Sequence, residues 1–196
     1  MKKSHFLLLL ISFFLLNCTK KEEVKNEVYI ISKEDRDNKK RLEEAKIPPA
    51  PKGYYGLTHI IIDEKGDLYF YQRPYRFVWI CIDEEDPLPE FIDLNPNDLV
   101  KIPNHTVADF LKENTAKRIK EKKGVLVIAS QLDTLKTKAF FELMYFIHDY
   151  KKSQIALYLI RRTTHEEDVV LKYKKNDLDY YADSIQWDKS RIRFFD

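Results

Sequence analysis

The side chains best suited to chemistry lie in one run, Arg161-Arg162-Thr163-Thr164-His165-Glu166-Glu167-Asp168. This run follows the apolar segment 155–160, so the sequence predicts that it lies at the C-terminal end of a buried strand, where open α/β sheets bind their ligands. Two neighbouring guanidinium groups can hold a carboxylate or a phosphate, and an imidazole can carry a proton. The candidate binding residues predicted here are Arg161, Arg162, Thr164 and His165.

The same run also has a structural interpretation. Thr163 and Glu166, and likewise Thr164 and Glu167, have the spacing of a capping box, in which each side chain binds the other residue's backbone N–H group at the start of a helix. The arginines would then be ordinary charges at the end of a strand. A ligand site and a helix start are therefore both open for this run.

A search for catalytic motifs favours a binding module over an enzyme. The chain contains no Gly-x-Ser-x-Gly, no His-Glu-x-x-His and no Cys-x-x-Cys motif. It has four glycines in all, so a glycine-rich cradle for phosphates is hard to build. The enzymatic alternative is a hydrolase that uses His165 and neighbouring acids, with no nucleophile that the sequence identifies.

No cofactor and no metal site is predicted. His59, His105 and His148 each lack a second ligand at metal-binding spacing. The acidic loop 83–86 offers oxygen ligands, as calcium requires, but it lacks the spaced ligands and the glycine of an EF-hand.

A second candidate binding surface is a group of tyrosines. In the alternating segment 68–72, Leu68 and Phe70 are predicted to face the core, whereas Tyr69 and Tyr71 are predicted to face outward. Outward aromatic rings can stack on sugars or peptides, and they are also ordinary residues of a sheet. The group consists of Tyr54, Tyr55, Tyr69, Tyr71 and Tyr75.

The N-terminus has the layout of a secretory signal. Lys2 and Lys3 precede the apolar run 6–16, which is shorter than the roughly 20 residues that a membrane-spanning helix needs. The run ends at Leu15-Leu16-Asn17-Cys18, which resembles the lipobox of bacterial lipoproteins. The resemblance implies cleavage before Cys18 and a thioether-linked diacylglycerol on it, and two or more acyl chains form a stable anchor. A plain secretory signal is the alternative.

The lipobox predicts an envelope protein anchored to a membrane, with the outer membrane favoured, on its periplasmic face or at the cell surface. Thr19-Lys20-Lys21-Glu22-Glu23 is similar to the export signal of surface-displayed lipoproteins in some Gram-negative lineages. A solvated linker is the alternative. The predicted partners are the membrane and an envelope protein, peptide or glycan.

The charge of the chain argues against nucleic acid as a partner. The chain has 34 basic and 32 acidic residues, and its formal net charge of +2 comes entirely from Lys2 and Lys3. A nucleic-acid-binding surface needs a basic excess. Once the predicted signal is removed, that excess is gone.

The predicted organisation is a signal peptide over residues 1–17, a charged and proline-rich tether over 18–52, and one globular domain over 53–196. Patterning predicts an α+β fold, with a β-hairpin, a βαβ unit and a sheet packed against helices. Gly66 serves the turn of the hairpin, and Asp133-Thr134 is the predicted cap of the βαβ helix. The predicted strands cover 57–62, 68–72, 76–83, 125–129, 155–160 and 184–195, and the two longest helices cover 106–122 and about 134–150.

Residues 124–160 carry a further resemblance. The strand 125–129, the loop at Asp133, the helix and the strand 155–160 are similar in layout to the periplasmic domains of TolR/ExbD-type envelope proteins. That resemblance implies an envelope adaptor as an alternative function. Those proteins begin with a membrane helix, however, where this chain has a lipobox.

Overall fold

The computed structural model describes residues 27–47, 56, 58–73, 88–122, 125–149, 155 and 157–194, with the side chains of 104 and 115–122 left undescribed. Several predicted features lie outside these residues: the signal peptide and Cys18, the proline-rich segment 48–52, the strand 76–83, the acidic loop 83–86, and Tyr54, Tyr55 and Tyr75. Among the helices that the structure describes, none is long and apolar enough to cross a membrane.

The described part of the chain contains seven strands and four α-helices. In chain order they are β1 (Tyr29–Ile30), α1 (Ile31–Ala45), β2 (Thr58–Ile62), β3 (Leu68–Gln72), β4 (Val100–Ile102), α2 (Val107–Lys122), β5 (Leu126–Ser130), β6 (Thr134–Leu135), α3 (Lys138–His148), β7 (Tyr158–Arg162) and α4 (His165–Asn176). Short 3-10 helices cover Pro96–Asp98, Asn104–Thr106 and Ala182–Ser184.

A mixed sheet of five strands forms the centre, in the order β4-β3-β2-β5-β7. β2 and β3 form the predicted hairpin, and β4 pairs antiparallel with β3. β5 lies parallel to both β2 and β7, so β5, α3 and β7 make the predicted βαβ unit. The predicted α+β class is confirmed, with strand boundaries shifted by a few residues.

The side chain of Asp63 holds the turn of the hairpin. Its Oδ1 atom accepts hydrogen bonds from the backbone N–H groups of Lys65 and Asp67, at 2.8 and 2.9 Å. Gly66 has a φ of +85°, in the left-handed region that this turn requires. A Cβ atom on Gly66 would lie 2.5 Å from the Cγ2 atom of Thr137, so a substitution would strain the turn and its contact with the start of α3.

Both faces of the sheet are covered. Ile60, Ile62 and Phe70 point into a large apolar cluster that includes side chains of α2 and α3. On the opposite face, Ile61 and Tyr69 pack in a smaller cluster that includes apolar side chains of α4. A strand buried on both faces is expected to be mostly apolar, and β2 and β5 are buried at every position and apolar except at Thr58, His59 and Ser130.

Tyr69 and Tyr71 are 5% and 1% exposed. The prediction that their rings face outward, where a ligand could reach them, is therefore wrong. The alternation itself is as predicted, since Leu68 and Phe70 lie on the other face of the sheet. The rings are buried because α4 covers this face of the sheet. The sequence pattern predicted the capping box after β7 but not that the following helix packs on the sheet.

The N-terminal segment is packed into the fold. β1 pairs antiparallel with β6, with Tyr29 opposite Leu135. Ile31 is 2% exposed inside the large apolar cluster, and the ring of Tyr29 lies 6.1 Å from that of Phe140. Residues 29–32 of the predicted tether therefore contact the domain, whereas residues 33–45 of α1 are mostly exposed.

Asp133 caps a different helix from the one predicted. Its carboxylate accepts hydrogen bonds from the backbone N–H and the hydroxyl group of Ser32, at 2.9 and 2.7 Å, and so completes the first turn of α1. The N-cap of α1 is Ile30, which has no side-chain acceptor of its own. The cap of α3 is Thr137, whose hydroxyl oxygen accepts from the Phe140 N–H group.

The strand predicted over residues 184–195 is absent from the described part of that span. Its backbone makes one parallel bridge, between Glu90 and Arg193. The rings of Trp187 and Phe194 pack against Phe91, at centroid distances of 5.1 and 4.7 Å. This segment is therefore held by aromatic contacts and a single bridge rather than by a strand ladder.

Candidate functional site

The predicted site residues lie around the N-terminus of α4. The Thr164 hydroxyl oxygen accepts from the Glu167 N–H group at 3.2 Å, and the Glu167 carboxylate accepts from the Thr164 N–H group at 2.8 Å. This is the capping box that the sequence predicted as the alternative to a ligand site. Thr164 is buried and occupied with this cap.

Glu167 is also the centre of a buried polar network beneath α4. Its carboxylate accepts two hydrogen bonds from the Arg161 guanidinium, at 2.7 and 2.9 Å, and one from the Tyr71 hydroxyl at 2.7 Å. The ring of His59 stacks on that of Tyr71 at 4.4 Å. Glu167, Tyr71 and His59 are each at most 1% exposed, so we call these three residues with Arg161 the buried network.

The charges of the buried network are fixed by its surroundings. Burial alone would raise the pKa of Glu167, but the Arg161 guanidinium and the hydrogen bonds lower it to about 2. Burial raises the pKa of Tyr71 far above its usual value, and the Glu167 carboxylate adds to this. The pair Arg161–Glu167 is therefore ionised at neutral pH, and Tyr71 stays a hydrogen-bond donor.

His59 is neutral in the buried network. Burial lowers its pKa to about 4, against the opposing pull of Glu167. Its Nε2 atom lies 3.0 Å from the carbonyl oxygen of Gly56, so the tautomer with hydrogen on Nε2 donates to that oxygen. The Nδ1 atom has no hydrogen-bond partner among the described residues and lies 3.9 Å from the Glu167 carboxylate.

Glu166 fastens a loop to α4. Its carboxylate accepts hydrogen bonds from the backbone N–H groups of Ile92 and Leu94, at 2.8 and 2.7 Å. Burial raises the pKa of Glu166 to about 7, although the two N–H groups oppose the rise. Between these two anchored amides lies Asp93, whose φ of 56° turns the chain sharply.

The two arginines do not converge on one ligand. Successive side chains of a strand point to opposite faces, so Arg161 enters the buried network while Arg162 points away from it. The Arg162 guanidinium donates to the carbonyl oxygens of Ser130 and Gln131 at the end of β5. The predicted anion site at these two arginines is not formed in the described structure.

An aromatic cleft of about 390 Å³ lies next to His165. The ring of His165 meets that of Trp187 edge to face, at 5.9 Å. The chain segments on the two sides of the cleft are joined by backbone hydrogen bonds, from Phe91 N to Arg193 O at 2.6 Å and from Arg193 N to Pro89 O at 2.9 Å. The residues that line this aromatic cleft are Phe91, Asp93, Ala182, Asp183, Ile185, Trp187 and Phe194.

Sequence patterns did not identify the aromatic cleft. Phe91 lies about a hundred positions from Trp187 and Phe194, and all three are outside the described helices and strands, so no periodicity connects them. The one available signal is the density of aromatic residues near the C-terminus, in Tyr180, Tyr181, Trp187, Phe194 and Phe195.

His148 makes a contact with a tyrosine. The His148 Nε2 atom lies 3.2 Å from the Tyr158 hydroxyl, which is a contact between side chains near the surface. Within the described ranges, no group of three histidine, cysteine or acidic side chains is placed to hold a metal ion.

Comparisons of the chain with protein-family models, with curated proteins and with solved structures found no match.

Proposed function

We propose that this protein is a lipid-anchored accessory module of the bacterial envelope, and that it binds a partner protein, peptide or glycan in the aromatic cleft. The observation that carries the proposal is the cleft, because it combines partly exposed aromatic side chains with exposed carboxylates. Phe194 is 39% exposed, and Asp93 and Asp183 are exposed at the rim. Concave sites with aromatic walls and a few polar groups are the usual form of a binding site.

The buried network supports binding rather than hydrolysis. A general acid or base must come within hydrogen-bond reach of its substrate. His59, Tyr71 and Glu167 are buried beneath α4, and the carboxylate oxygens of Glu167 accept hydrogen bonds from Arg161, Tyr71 and the Thr164 N–H group of the helix cap. His165 lies nearer the cleft, yet within the described residues no hydroxyl or thiol group is hydrogen-bonded to its ring.

The proposed anchor precedes a strand that lies across the sheet from the cleft. β1 packs on the face of the sheet that carries α2 and α3, whereas the cleft lies with α4 on the opposite face. Between Cys18 and Tyr29 there are ten residues, which span at most about 36 Å when fully extended. A lipid on Cys18 would thus hold the domain close to the membrane by the layer remote from the cleft.

Lipidation is tested by the intact mass of the protein extracted from membranes. The mass should show loss of residues 1–17 and the addition of a lipid, and Cys18→Ala should stop both. A soluble mature protein of unmodified mass would contradict the anchor.

Binding is tested by photocrosslinking in intact cells. A photoreactive amino acid replaces Tyr181, which is 69% exposed beside the cleft, and in a matched control it replaces Lys40, whose side chain is 75% exposed on α1. We expect a partner that is captured from position 181, lost in the Trp187→Ala background, and not captured from position 40. Equal capture from both positions, or capture that survives Trp187→Ala, would refute the cleft as the binding site.

A further inference from the structure

We propose that the ligand group held by the aromatic cleft is a cation, the side chain of a lysine or arginine in a polypeptide partner. This inference rests on the proposed function and specifies the chemistry of its ligand. The first observation is charge. Two carboxylates, Asp93 and Asp183, line the cleft, and none of its lining residues is a lysine, arginine or histidine.

The arginines near the cleft already have acidic partners. Arg193 pairs with Glu90 at 3.0 Å, Arg191 lies 4.0 Å from Asp168, and Arg161 pairs with Glu167 at 2.7 Å. Within the described residues, Asp93 and Asp183 have no ion pair of this kind. The cleft therefore keeps a local negative charge that a cationic ligand would complement.

The aromatic rings favour the same ligand. A cation binds to the face of an aromatic ring, and tryptophan is the strongest acceptor. The ring of Phe91 is inclined by 66° to that of Trp187 and by 31° to that of Phe194. The rings of Trp187 and Phe194 are inclined by 66° to each other. Sugars stack best on a flat platform. Inclined rings beside two carboxylates fit a compact charged group better.

The position of Asp93 is fixed before any ligand binds. The amides of both its neighbours, Ile92 and Leu94, are held by the buried Glu166 carboxylate. Asp93 itself has a φ of 56°, a conformation that aspartate and asparagine tolerate better than most residues. A backbone fixed in this way loses little conformational freedom on binding, which favours recognition of a small charged group by the side chain that it carries.

The test is a titration of the full-length, detergent-solubilised protein, followed by NMR through the indole N–H signal of Trp187. The probes are a short glycine-rich peptide with two lysines, the same peptide with both lysines acetylated, and a neutral disaccharide of N-acetylhexosamine. We expect saturable binding of the lysine peptide, and binding of the acetylated peptide and of the disaccharide that is weaker by about tenfold or more.

Isosteric variants connect that binding to the two carboxylates. The double variant Asp93→Asn with Asp183→Asn should lower the affinity for the lysine peptide by about tenfold. A control pair on α1, Glu34→Gln with Asp35→Asn, should leave that affinity unchanged. Asparagine tolerates the backbone of Asp93, so the turn is preserved. Four results would each contradict a cationic ligand. They are equal binding of the charged and acetylated peptides, preferred binding of the disaccharide, no binding of the lysine peptide, and binding of the lysine peptide that the asparagine variants leave unchanged. The cleft would remain the proposed site in each case if crosslinking from position 181 still depended on Trp187.

Discussion

The two faces of the central sheet are stabilised in different ways. The face beneath α2 and α3 is apolar, with Ile60, Ile128 and Leu143 all fully buried. The face beneath α4 combines a small apolar cluster with the ionised pair Arg161–Glu167. Apolar packing tolerates imperfect partners, whereas a buried charge depends on each of its hydrogen bonds. The comparison indicates that the buried network specifies how α4 docks, and so where the aromatic cleft beside it forms.

The largest expected effect is on the polar face. Glu167→Ala would leave the Arg161 guanidinium buried without its carboxylate, so the free energy of unfolding should fall by about 3–5 kcal/mol. Urea denaturation measures this. Arg161→Met in the same chain should recover part of the loss, because it removes the uncompensated charge. A loss of less than about 1 kcal/mol, in the range of an exposed pair, would show that this pair is not sealed from water.

The matching change on the apolar face is Leu143→Ala, with Phe140→Ala as a second site. Leu143 is fully buried and Phe140 is 2% exposed, so each truncation should cost about 2–5 kcal/mol. The cost should be the same at pH 5 and pH 7, since no ionised group is involved. A change within about 0.5 kcal/mol would mean that this face of α3 does not pack in the core.

Dependence on pH distinguishes the two faces further. The pKa of His59 is lowered to about 4 in the folded protein, whereas its value in the unfolded chain is near 6.5. Its contribution to the free energy of unfolding is therefore complete above pH 6.5 and is lost as the pH falls towards 4. The pKa of Glu166 is raised to about 7, so its contribution is complete below about 4.5 and is lost as the pH rises towards 7. The two effects oppose each other, and stability should be nearly level between pH 4.5 and 6.5.

The variant Glu166→Gln should reveal the pH dependence of stability that His59 causes. In this variant the free energy of unfolding should fall by about 2–3 kcal/mol between pH 6.5 and 4.5, because the opposing effect of Glu166 is removed. Denaturation at several pH values measures the slope. A profile as level as that of the parent protein would contradict the neutral, buried His59.

The smallest of these effects concerns the edge of the apolar face, where the chain enters the fold. Ile31→Ala should destabilise by about 2 kcal/mol, since Ile31 is 2% exposed in the apolar cluster. Val28→Ala is the control, because Val28 is 54% exposed. If neither variant changes the free energy of unfolding, residues 29–31 belong to the tether and not to the packed domain.

The sequence predicted the elements that local patterns determine. The hairpin around Gly66 and the capping box at Thr164 depend on spacing within a few residues, and the βαβ unit follows from the periodicity of three consecutive segments. All three are observed. The docking of β1 depends on a contact between Tyr29 and Leu135, which are about a hundred residues apart, and no local pattern encodes it.

The candidate site was less predictable than the fold, for the same reason. Arg161, Thr164 and His165 were correctly placed near a strand end, but their roles depend on what lies opposite them. Arg161 is occupied by Glu167 because α4 turns back over the sheet, and Tyr71 is buried by that same helix. The aromatic cleft is assembled from loops, where neither periodicity nor capping gives a signal.

The central claim is that the buried network helps to dock α4 whereas the aromatic cleft binds the partner, and one measurement separates these two roles. The amount of the crosslinking partner that copurifies from intact cells is compared for Tyr71→Phe and Trp187→Ala at equal protein levels. Tyr71→Phe removes one hydrogen bond to Glu167 and should cost about 2 kcal/mol of stability while the partner is retained. Trp187→Ala should keep the folded protein and lose the partner. Loss of the partner in a folded Tyr71→Phe protein, with retention in Trp187→Ala, would contradict the account.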